Sequence, residues 1–227
     1  MKVSIVVPTY NEAENMKILI PRINKSLAGY NHEIIVVDDS SPDRTAEIAK
    51  MLSKDYPVKV FVREGKLGLA SAILYGFNKS DGDVLGVIDA DLQHPPEILC
   101  EMVKKIEEGY DLVIASRYIK GGGIENWSFL RKMISKGAIL LARPLTSIKD
   151  PMSGCFLVKR SVIEEVRFNP TGYKLLLEIL LKGKYRRVAE VPYVFRERKY
   201  GDSKLGVREV LKYIKLLAHL YMHKFAR

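Results

Sequence analysis

The sequence predicts an α/β domain built on a mainly parallel sheet flanked by helices. In the first half of the chain, apolar runs rich in Val and Ile alternate with helical patterns, an alternation typical of parallel sheets. The runs are nearly continuous, as in strands that are buried on both faces. Two cysteines among 227 residues indicate no disulfide framework and favour a reducing compartment.

The elements follow in order along the chain. We predict strands at Val3–Val7, Glu33–Val37, Val58–Val62, Val84–Ile88, Leu112–Ala115, Phe156–Val158 and Val188–Phe195, and helices at about 12–28, 42–54, 68–79, 95–108 and 207–227. Because the chain enters its first strand at once, we expect no signal peptide. No apolar run approaches the roughly 18–20 residues that span a bilayer.

Charge is divided unevenly along the chain. Residues 1–115 contain 13 Lys/Arg and 18 Asp/Glu, whereas residues 116–227 contain 24 and 9. A mildly acidic half therefore precedes a strongly basic one. The basic half predicts a partner that is a nucleic acid, an anionic membrane or a substrate carrying phosphate.

Polar clusters follow three of the predicted strands. They are Tyr10–Glu12, Asp38–Asp43 and Asp89–Gln93. In parallel sheets, ligands bind beyond the carboxyl ends of the strands. The oxygen ligands of Asp89, Asp91 and Gln93 suit Mg²⁺ or Mn²⁺ and, through the ion, a diphosphate. The alternatives are a plain polar loop for Asp89–Gln93 and a helix start for Asn11–Glu12.

Seven motifs occur in a fixed order along the chain: Val7–Glu12, Val37–Asp43, Asp89–Pro96, Ser116–Tyr118, Arg131–Ser135, Asp150–Gly154 and Tyr200–Leu205. Their order and spacing resemble family 2 glycosyltransferases with a GT-A fold. The later basic motifs, and the Leu-Gln-His-Pro-Pro continuation of the Asp-x-Asp motif, resemble the polyprenyl-phosphate branch, which includes the dolichol-phosphate mannose synthases.

The resemblance implies a role for each matching residue. Donor-binding positions are Pro8, Tyr10, Glu12, Val37, Asp39, Asp89, Ala90, Asp91, Arg198 and Lys204; metal-binding positions are Asp89, Asp91 and Gln93; acceptor-phosphate positions are Arg117, Arg131 and Ser135. Asp91, Arg117 and Arg131 would be catalytic. Two departures are Ser40, where the family often has Asp, and a short stretch between Leu141 and Asp150.

The resemblance also implies an activity and a place of action. Mannose would move from GDP-mannose to dolichyl (polyprenyl) phosphate with inversion, with Mg²⁺ or Mn²⁺ as cofactor. Residues 1–205 would form the GT-A catalytic domain, including an amphipathic segment at about 126–145, and residues 206–227 a basic amphipathic interface helix. We expect peripheral binding at the cytoplasmic face of a membrane, with a small membrane subunit as a candidate partner.

Several alternatives stay open. One is another polyprenyl-phosphate glycosyltransferase, for example one with a UDP-glucose donor, and another is a non-catalytic subunit that senses nucleotide sugars. A nucleic-acid-binding module is a third, but the basic residues are not interleaved with an aromatic stacking platform, so we expect no nucleic-acid partner. The C-terminal helix could equally pack on the domain or be covered by a partner.

Overall fold

The computed structural model of the protein describes residues 1–168, 174–196 and 207–225. The first half contains β1 (Lys2–Thr9), α1 (Ala13–Ser26), β2 (Asn31–Asp38), α2 (Thr45–Leu52), β3 (Val58–Val62), α3 (Leu69–Lys79), β4 (Val84–Val87), α4 (Ile98–Glu107) and β5 (Leu112–Ser116). The second half contains β6 (Gly123–Ile124), α5 (Phe129–Ala142), β7 (Phe156–Lys159), α6 (Arg160–Ile163), α7 (Leu175–Lys182), β8 (Val188–Pro192), β9 (Val194–Phe195) and α8 (Val207–Phe225).

Seven strands form the central sheet, in the order β3-β2-β1-β4-β7-β5-β8. All neighbouring pairs are parallel except the two that involve β7, which runs antiparallel to β4 and β5. The predicted α/β class with a mainly parallel sheet is therefore confirmed.

Alternate residues of β1 enter the apolar layers on opposite faces of this sheet. Ile5 joins the layer that contains Met16 and Leu19 of α1, whereas Val6 joins the layer that contains Ile73 and Phe77 of α3. Both faces are covered, which explains why the strand sequences are nearly continuous apolar runs.

Two predicted helices begin later than expected. In α2, Arg44 has a left-handed φ of 67°, and Asp43 accepts hydrogen bonds from the backbone N–H groups of Ala13 (3.0 Å) and Thr45 (3.1 Å). The helix therefore starts at Thr45 instead of 42. In α4, Pro95 and Pro96 form the preceding turn, and their carbonyls accept the N–H groups of Ile98 and Leu99.

The predicted strand Val188–Phe195 is two strands. β8 lies at the edge of the central sheet, and β9 pairs with β6 in a separate two-stranded sheet. The change of sheet places Tyr193 and Phe195 beside the loop that follows β4, since the Arg196 N–H donates to the Gln93 carbonyl over 3.1 Å.

A third apolar cluster joins α5, α7 and α8. The Tyr213 hydroxyl donates to the Ala138 carbonyl (2.6 Å) and the Tyr221 hydroxyl to the Leu141 carbonyl (2.7 Å). One face of α8 thus packs on the domain. Among the residues described, we find no helix with both the length and the apolar character needed to cross a bilayer.

Candidate functional site

The polar clusters after β1, β2 and β4 lie at one edge of the sheet. Thr9 pairs in register with Asp38, and the Thr9 hydroxyl donates to the Asp38 carboxylate over 2.8 Å. Asp38 also accepts the Ser41 N–H at 2.8 Å. Asp38 therefore braces the two loops against each other. Pro8 and Val37, also paired in register, are buried directly beneath them.

Asp39 fixes the loop between β3 and α3. One carboxylate oxygen accepts from Arg63 Nε at 2.7 Å, and the other accepts the N–H groups of Leu67 (3.0 Å) and Gly68 (3.1 Å). Arg63 also donates to the Ser71 hydroxyl at 3.0 Å. The expected nucleotide contact of Asp39 would therefore be made by a carboxylate that already forms a buried ion pair with Arg63. The sequence patterns did not single out Arg63, although a buried carboxylate is stable only when a cationic or hydrogen-bonding side chain pairs with it.

Tyr10 and Lys66 face each other across the opening of this edge. Lys66 Nζ lies 4.1 Å from the centre of the Tyr10 ring, within the range of a cation–π contact. Glu12 accepts a hydrogen bond from the Asn15 amide at 2.6 Å, and its own N–H donates to the Thr45 hydroxyl. Glu12 directly precedes α1 without capping it through its side chain. Glu12 thus stands at the start of α1, as the alternative predicted, and the same residue belongs to the predicted donor loop.

The Asp-x-Asp motif follows β4 in a turn where Leu92 has a φ of 60°, a strained conformation for a branched side chain. Ala90 and Asp91 are buried, and Asp91 accepts the Gln93 N–H at 3.1 Å. The Gln93 amide nitrogen donates to the Arg196 carbonyl at 3.1 Å, so the side-chain oxygen is the atom of Gln93 that could bind a cation.

Two carboxylates and an amide oxygen at Asp89, Asp91 and Gln93 fit a Mg²⁺ or Mn²⁺ site. Within 1–168, 174–196 and 207–225, no three His, Cys, Asp or Glu side chains converge as a metal site. A Mg²⁺ ion in a nucleotide enzyme commonly takes only one or two protein carboxylates and completes its shell with phosphate and water. That arrangement agrees with the hard oxygen donors of these side chains. The Asp89 side chain is 31% exposed, whereas Asp91 is buried.

His94 and Gly154 both lie close to the carboxylate oxygen Oδ2 of Asp89. His94 Nδ1 is 3.7 Å from Asp89 Oδ2, and its ring stacks on Tyr193 with centroids 5.0 Å apart. Burial, with smaller contributions from the charges of Arg117 and Lys174, lowers the pKa of His94 to about 3. The ring is therefore neutral at physiological pH.

Arg117 is oriented by Asp150 at the end of β5. Its Nε and Nη2 donate to the two carboxylate oxygens, both at 2.7 Å, and both side chains are buried. Burial alone would lower the pKa of Arg117, but the hydrogen bonds and charge of Asp150 raise it above its usual value. The sequence analysis assigned no role to Asp150 within its motif, and its pairing with Arg117 follows from the buried cation.

Trp127 connects the two predicted acceptor arginines. Its ring centre is 4.3 Å from the Arg131 guanidinium carbon and 5.6 Å from that of Arg117. Arg131 and Ser135 both lie on α5, and the Ser135 hydroxyl is 2.8 Å from that of Tyr118. The structure thus places Arg117 and Arg131 beside Trp127 and places Ser135 beside Tyr118, whose ring centre is 5.2 Å from the Arg117 guanidinium carbon. Arg198 and Lys204 lie outside the described residues.

Two proteins with similar sequences are named for the same activity. The chain is 51% identical over 225 residues to a dolichol-phosphate mannosyltransferase of Pyrococcus furiosus, covering 97% of this chain and 63% of that protein's length. It is 36% identical over 235 residues to a dolichol-phosphate mannosyltransferase of Saccharomyces cerevisiae, covering 98% of this chain and 88% of the relative. The chain thus spans less than two thirds of the archaeal relative.

Solved structures show the same fold at low identity. Glucosyl-3-phosphoglycerate synthase of Mycobacterium tuberculosis, in complex with Mn²⁺, UDP and phosphoglyceric acid, matches with a TM-score of 0.71 at 21% identity, over 98% of this chain and 78% of that one. Mannosyl-3-phosphoglycerate synthase of Rubrobacter xylanophilus matches with a TM-score of 0.69 at 20% identity, over all of this chain (100%) and 75% of that one. These likenesses confirm the predicted GT-A fold.

The family model of glycosyl transferase family 2 matches residues 4–167. The match runs from β1 through the loop that contains Asp150 and Gly154 and on past β7, so it includes all the predicted donor, metal and acceptor residues that the structure describes. The chain belongs to glycosyl transferase family 2.

Proposed function

We propose that this chain transfers a mannosyl group from GDP-mannose to dolichyl (polyprenyl) phosphate. The observation that carries the proposal is the meeting of an acidic and a basic group of side chains at one sheet edge. On the acidic side, Asp89 Oδ2 lies 3.7 Å from His94 Nδ1. On the basic side, the guanidinium carbon of Arg117 lies 5.4 Å from the ring centre of Phe195. The Phe195 ring also packs on His94 and so joins the two sides. The names of the relatives support the same donor sugar and acceptor.

The acidic edge is the proposed donor side. Tyr10, Lys66 and Glu12 would contact the nucleoside, and Asp89, Asp91 and Gln93 would bind Mg²⁺ or Mn²⁺ on the diphosphate. When bound, the cation would offset the negative charge that develops on the leaving GDP. The complexes of structural neighbours with Mn²⁺ or Mg²⁺ support use of a divalent ion. Arg198 and Lys204 remain proposed donor contacts from the resemblance.

The basic edge is the proposed acceptor side. Arg131 and Ser135 would bind the phosphate of the lipid, with Arg117 directed by Asp150 toward the same group. One phosphate oxygen forms the new bond to the anomeric carbon as the bond from that carbon to the GDP oxygen breaks, and the electron pair leaves with GDP. The configuration therefore inverts. A phosphate monoester is already ionised near neutral pH, so the chain must orient it rather than deprotonate it.

The acceptor's polyprenyl tail requires a lipid surface, and we propose that α5 and α8 provide the contact. Both helices present large apolar side chains that are at least half exposed: Phe129, Leu130, Met133, Ile134, Leu140, Leu141, Leu211, Ile214, Met222 and Phe225. Exposed Lys132, Lys136, Lys212 and Lys215 lie among them and favour anionic headgroups. The chain would act from the cytoplasmic face of a membrane, with a small membrane subunit as the alternative cover for this surface.

A transfer assay tests the proposal. Purified protein, GDP-mannose carrying a radiolabel and dolichyl phosphate in detergent should give labelled, organic-extractable lipid. Chelator should abolish the signal, and added Mg²⁺ or Mn²⁺ should restore it. Turnover with UDP-glucose and none with GDP-mannose would overturn the choice of donor. Salt-sensitive RNA binding without any transfer to lipid would favour the nucleic-acid alternative.

A further inference from the structure

The imidazole of His94 is buried at 2% exposure, and neither ring nitrogen has a hydrogen-bond partner within the described parts of the chain. Buried polar groups are nearly always satisfied, and leaving one unpaired carries a desolvation cost. The pocket around the ring is aromatic, with Tyr193 stacked on it and Phe195 against its edge. A phenylalanine would fill such a pocket without that cost, so packing alone does not explain a histidine here.

The polar group that faces this ring is the carboxylate of Asp89. The distance from His94 Nδ1 to Asp89 Oδ2 is 3.7 Å, and a shift of roughly 0.7 Å would bring it to that of an ordinary N–H···O hydrogen bond. Gly154 also lies close to this carboxylate and leaves no room for a side chain of its own. A Cβ on Gly154 would lie 2.1 Å from Asp89 Oδ2 and 3.1 Å from Oδ1, which is closer than atoms approach without displacement. Oδ2 of Asp89 is therefore the atom closest both to the imidazole and to the space beside Gly154.

We propose that His94 is a positioning residue for Asp89: its Nδ1–H donates to Oδ2 when the carboxylate binds a divalent cation with a nucleoside diphosphate, and Gly154 leaves the space that this carboxylate requires. The inference rests on the proposed function, which assigns Asp89 to the donor's cation. A donor behind a metal-binding carboxylate fixes which oxygen faces the metal, and loss of such an outer partner typically weakens metal binding by about 10–100-fold.

Two substitutions separate the hydrogen bond from the packing. His94→Phe keeps a ring between Tyr193 and Phe195 but removes the donor. His94→Asn loses the ring but keeps an amide N–H close to the position of Nδ1. Direct binding of Mn²⁺ in the presence of GDP, followed by electron paramagnetic resonance of the free ion, reports on the site without any transfer reaction. We expect His94→Phe to weaken Mn²⁺ binding by about 10–100-fold and His94→Asn to retain most of the wild-type affinity.

Two further variants complete the test. Gly154→Ala should weaken Mn²⁺ binding as His94→Phe does, because the added methyl group displaces Asp89. His32→Asn is the matched control, since His32 lies at the opposite end of β2, where its ring nitrogens contact Tyr30 and Asn24; it should bind Mn²⁺ like the wild type. Thermal unfolding without metal identifies any variant that fails to fold.

The outcomes distinguish this inference from the function on which it rests. Wild-type Mn²⁺ affinity in His94→Phe, with transfer intact, would overturn the role of His94 and leave the proposed function standing. Loss of affinity in His94→Asn but not in His94→Phe would assign the ring to packing and also overturn it. If the wild type itself bound no Mn²⁺ with GDP, the metal site of the proposed function would fall together with the inference.

Discussion

The guanidinium of Arg117 is bound at two points by the carboxylate of Asp150, at 2.7 Å for each contact. Asp150 also accepts the backbone N–H of Arg117 at 3.0 Å. Glu190 in β8 accepts the N–H groups of Lys149 and Asp150 in turn. The direction of Arg117 is therefore set by three segments of chain before any acceptor arrives.

Asp150→Ala should destabilise the protein by about 3–5 kcal/mol, because it leaves the buried charge of Arg117 without a partner. Urea unfolding measures the free-energy change. Glu97→Ala is the control: it removes the contact with Arg22 at 2.7 Å, in which Glu97 is well exposed, and should cost less than about 1 kcal/mol. Similar losses in the two variants would contradict a special role for the buried pair.

Asp91→Asn should lower kcat for mannosyl transfer by at least about 100-fold, since the amide keeps the size of the side chain but removes the charge that binds the cation. Initial rates measured over a range of Mn²⁺ concentrations would check this. Asp55→Asn, at an exposed position in the turn before β3, should leave the rate unchanged. Full transfer activity in Asp91→Asn would remove Asp91 from the metal site.

Glu33 should make stability depend on pH at the other end of the sheet. Burial alone would raise the pKa of Glu33, but hydrogen bonds from Ser4 and the Asp81 N–H, together with Lys59 and Lys2, lower it from 4.5 to about 2. The ionised carboxylate therefore stabilises the fold above about pH 4.5, and this stabilisation is lost as the pH falls toward 2.

Glu33→Gln tests this dependence. Relative to the wild type, it should lower the free energy of unfolding by about 3 kcal/mol at pH 7, and the difference should shrink between pH 4.5 and 2. Denaturant unfolding at a series of pH values measures it. Glu14→Gln, exposed on α1, should follow the wild type throughout. A constant difference down to pH 2 would show that Glu33 does not titrate in this way.

Leu130→Ser with Ile134→Ser should weaken binding to anionic vesicles by at least about tenfold, because burying each such apolar side chain contributes about 1.5–3 kcal/mol. Sedimentation with phosphatidylglycerol-containing vesicles measures the change. Met51→Ser on α2, another exposed apolar position, is the control and should bind normally. Equal vesicle binding by the double variant and the wild type would exclude this part of α5 from the lipid contact.

The sequence predicted the sheet and the polar edge well, because both depend on local patterns. The apolar runs fixed β1 to β5 to within a few residues, and the edge position of Asp38, Asp39 and Asp89 follows from the rule for parallel strands. Helix starts were less accurate where turn residues precede the helix: Asp43 accepts the otherwise unpaired first N–H groups of α2 at Thr45 and of α1 at Ala13, and Pro95 and Pro96 form the turn before α4.

Long-range partners could not be predicted from such patterns. The pairing of Asp39 with Arg63 and of Arg117 with Asp150 joins residues 24 and 33 positions apart, at distances set by the fold. His94 appeared in the sequence as part of a proline-containing loop, and only the packing of Tyr193 and Phe195, after the chain leaves β8 for β9, shows that its ring is buried.

The antiparallel strand β7 makes the two chemical halves of the protein inseparable. β7 comes from the basic half but hydrogen-bonds between β4 and β5 of the acidic half, and its direction returns Asp150–Gly154 to the edge where Asp89 lies. A fragment that ended before Phe156 would leave a gap in the middle of the sheet between β4 and β5, so a cut there would not separate the proposed donor side from the proposed acceptor side. The acidic and basic halves of the chain must therefore fold together as one unit.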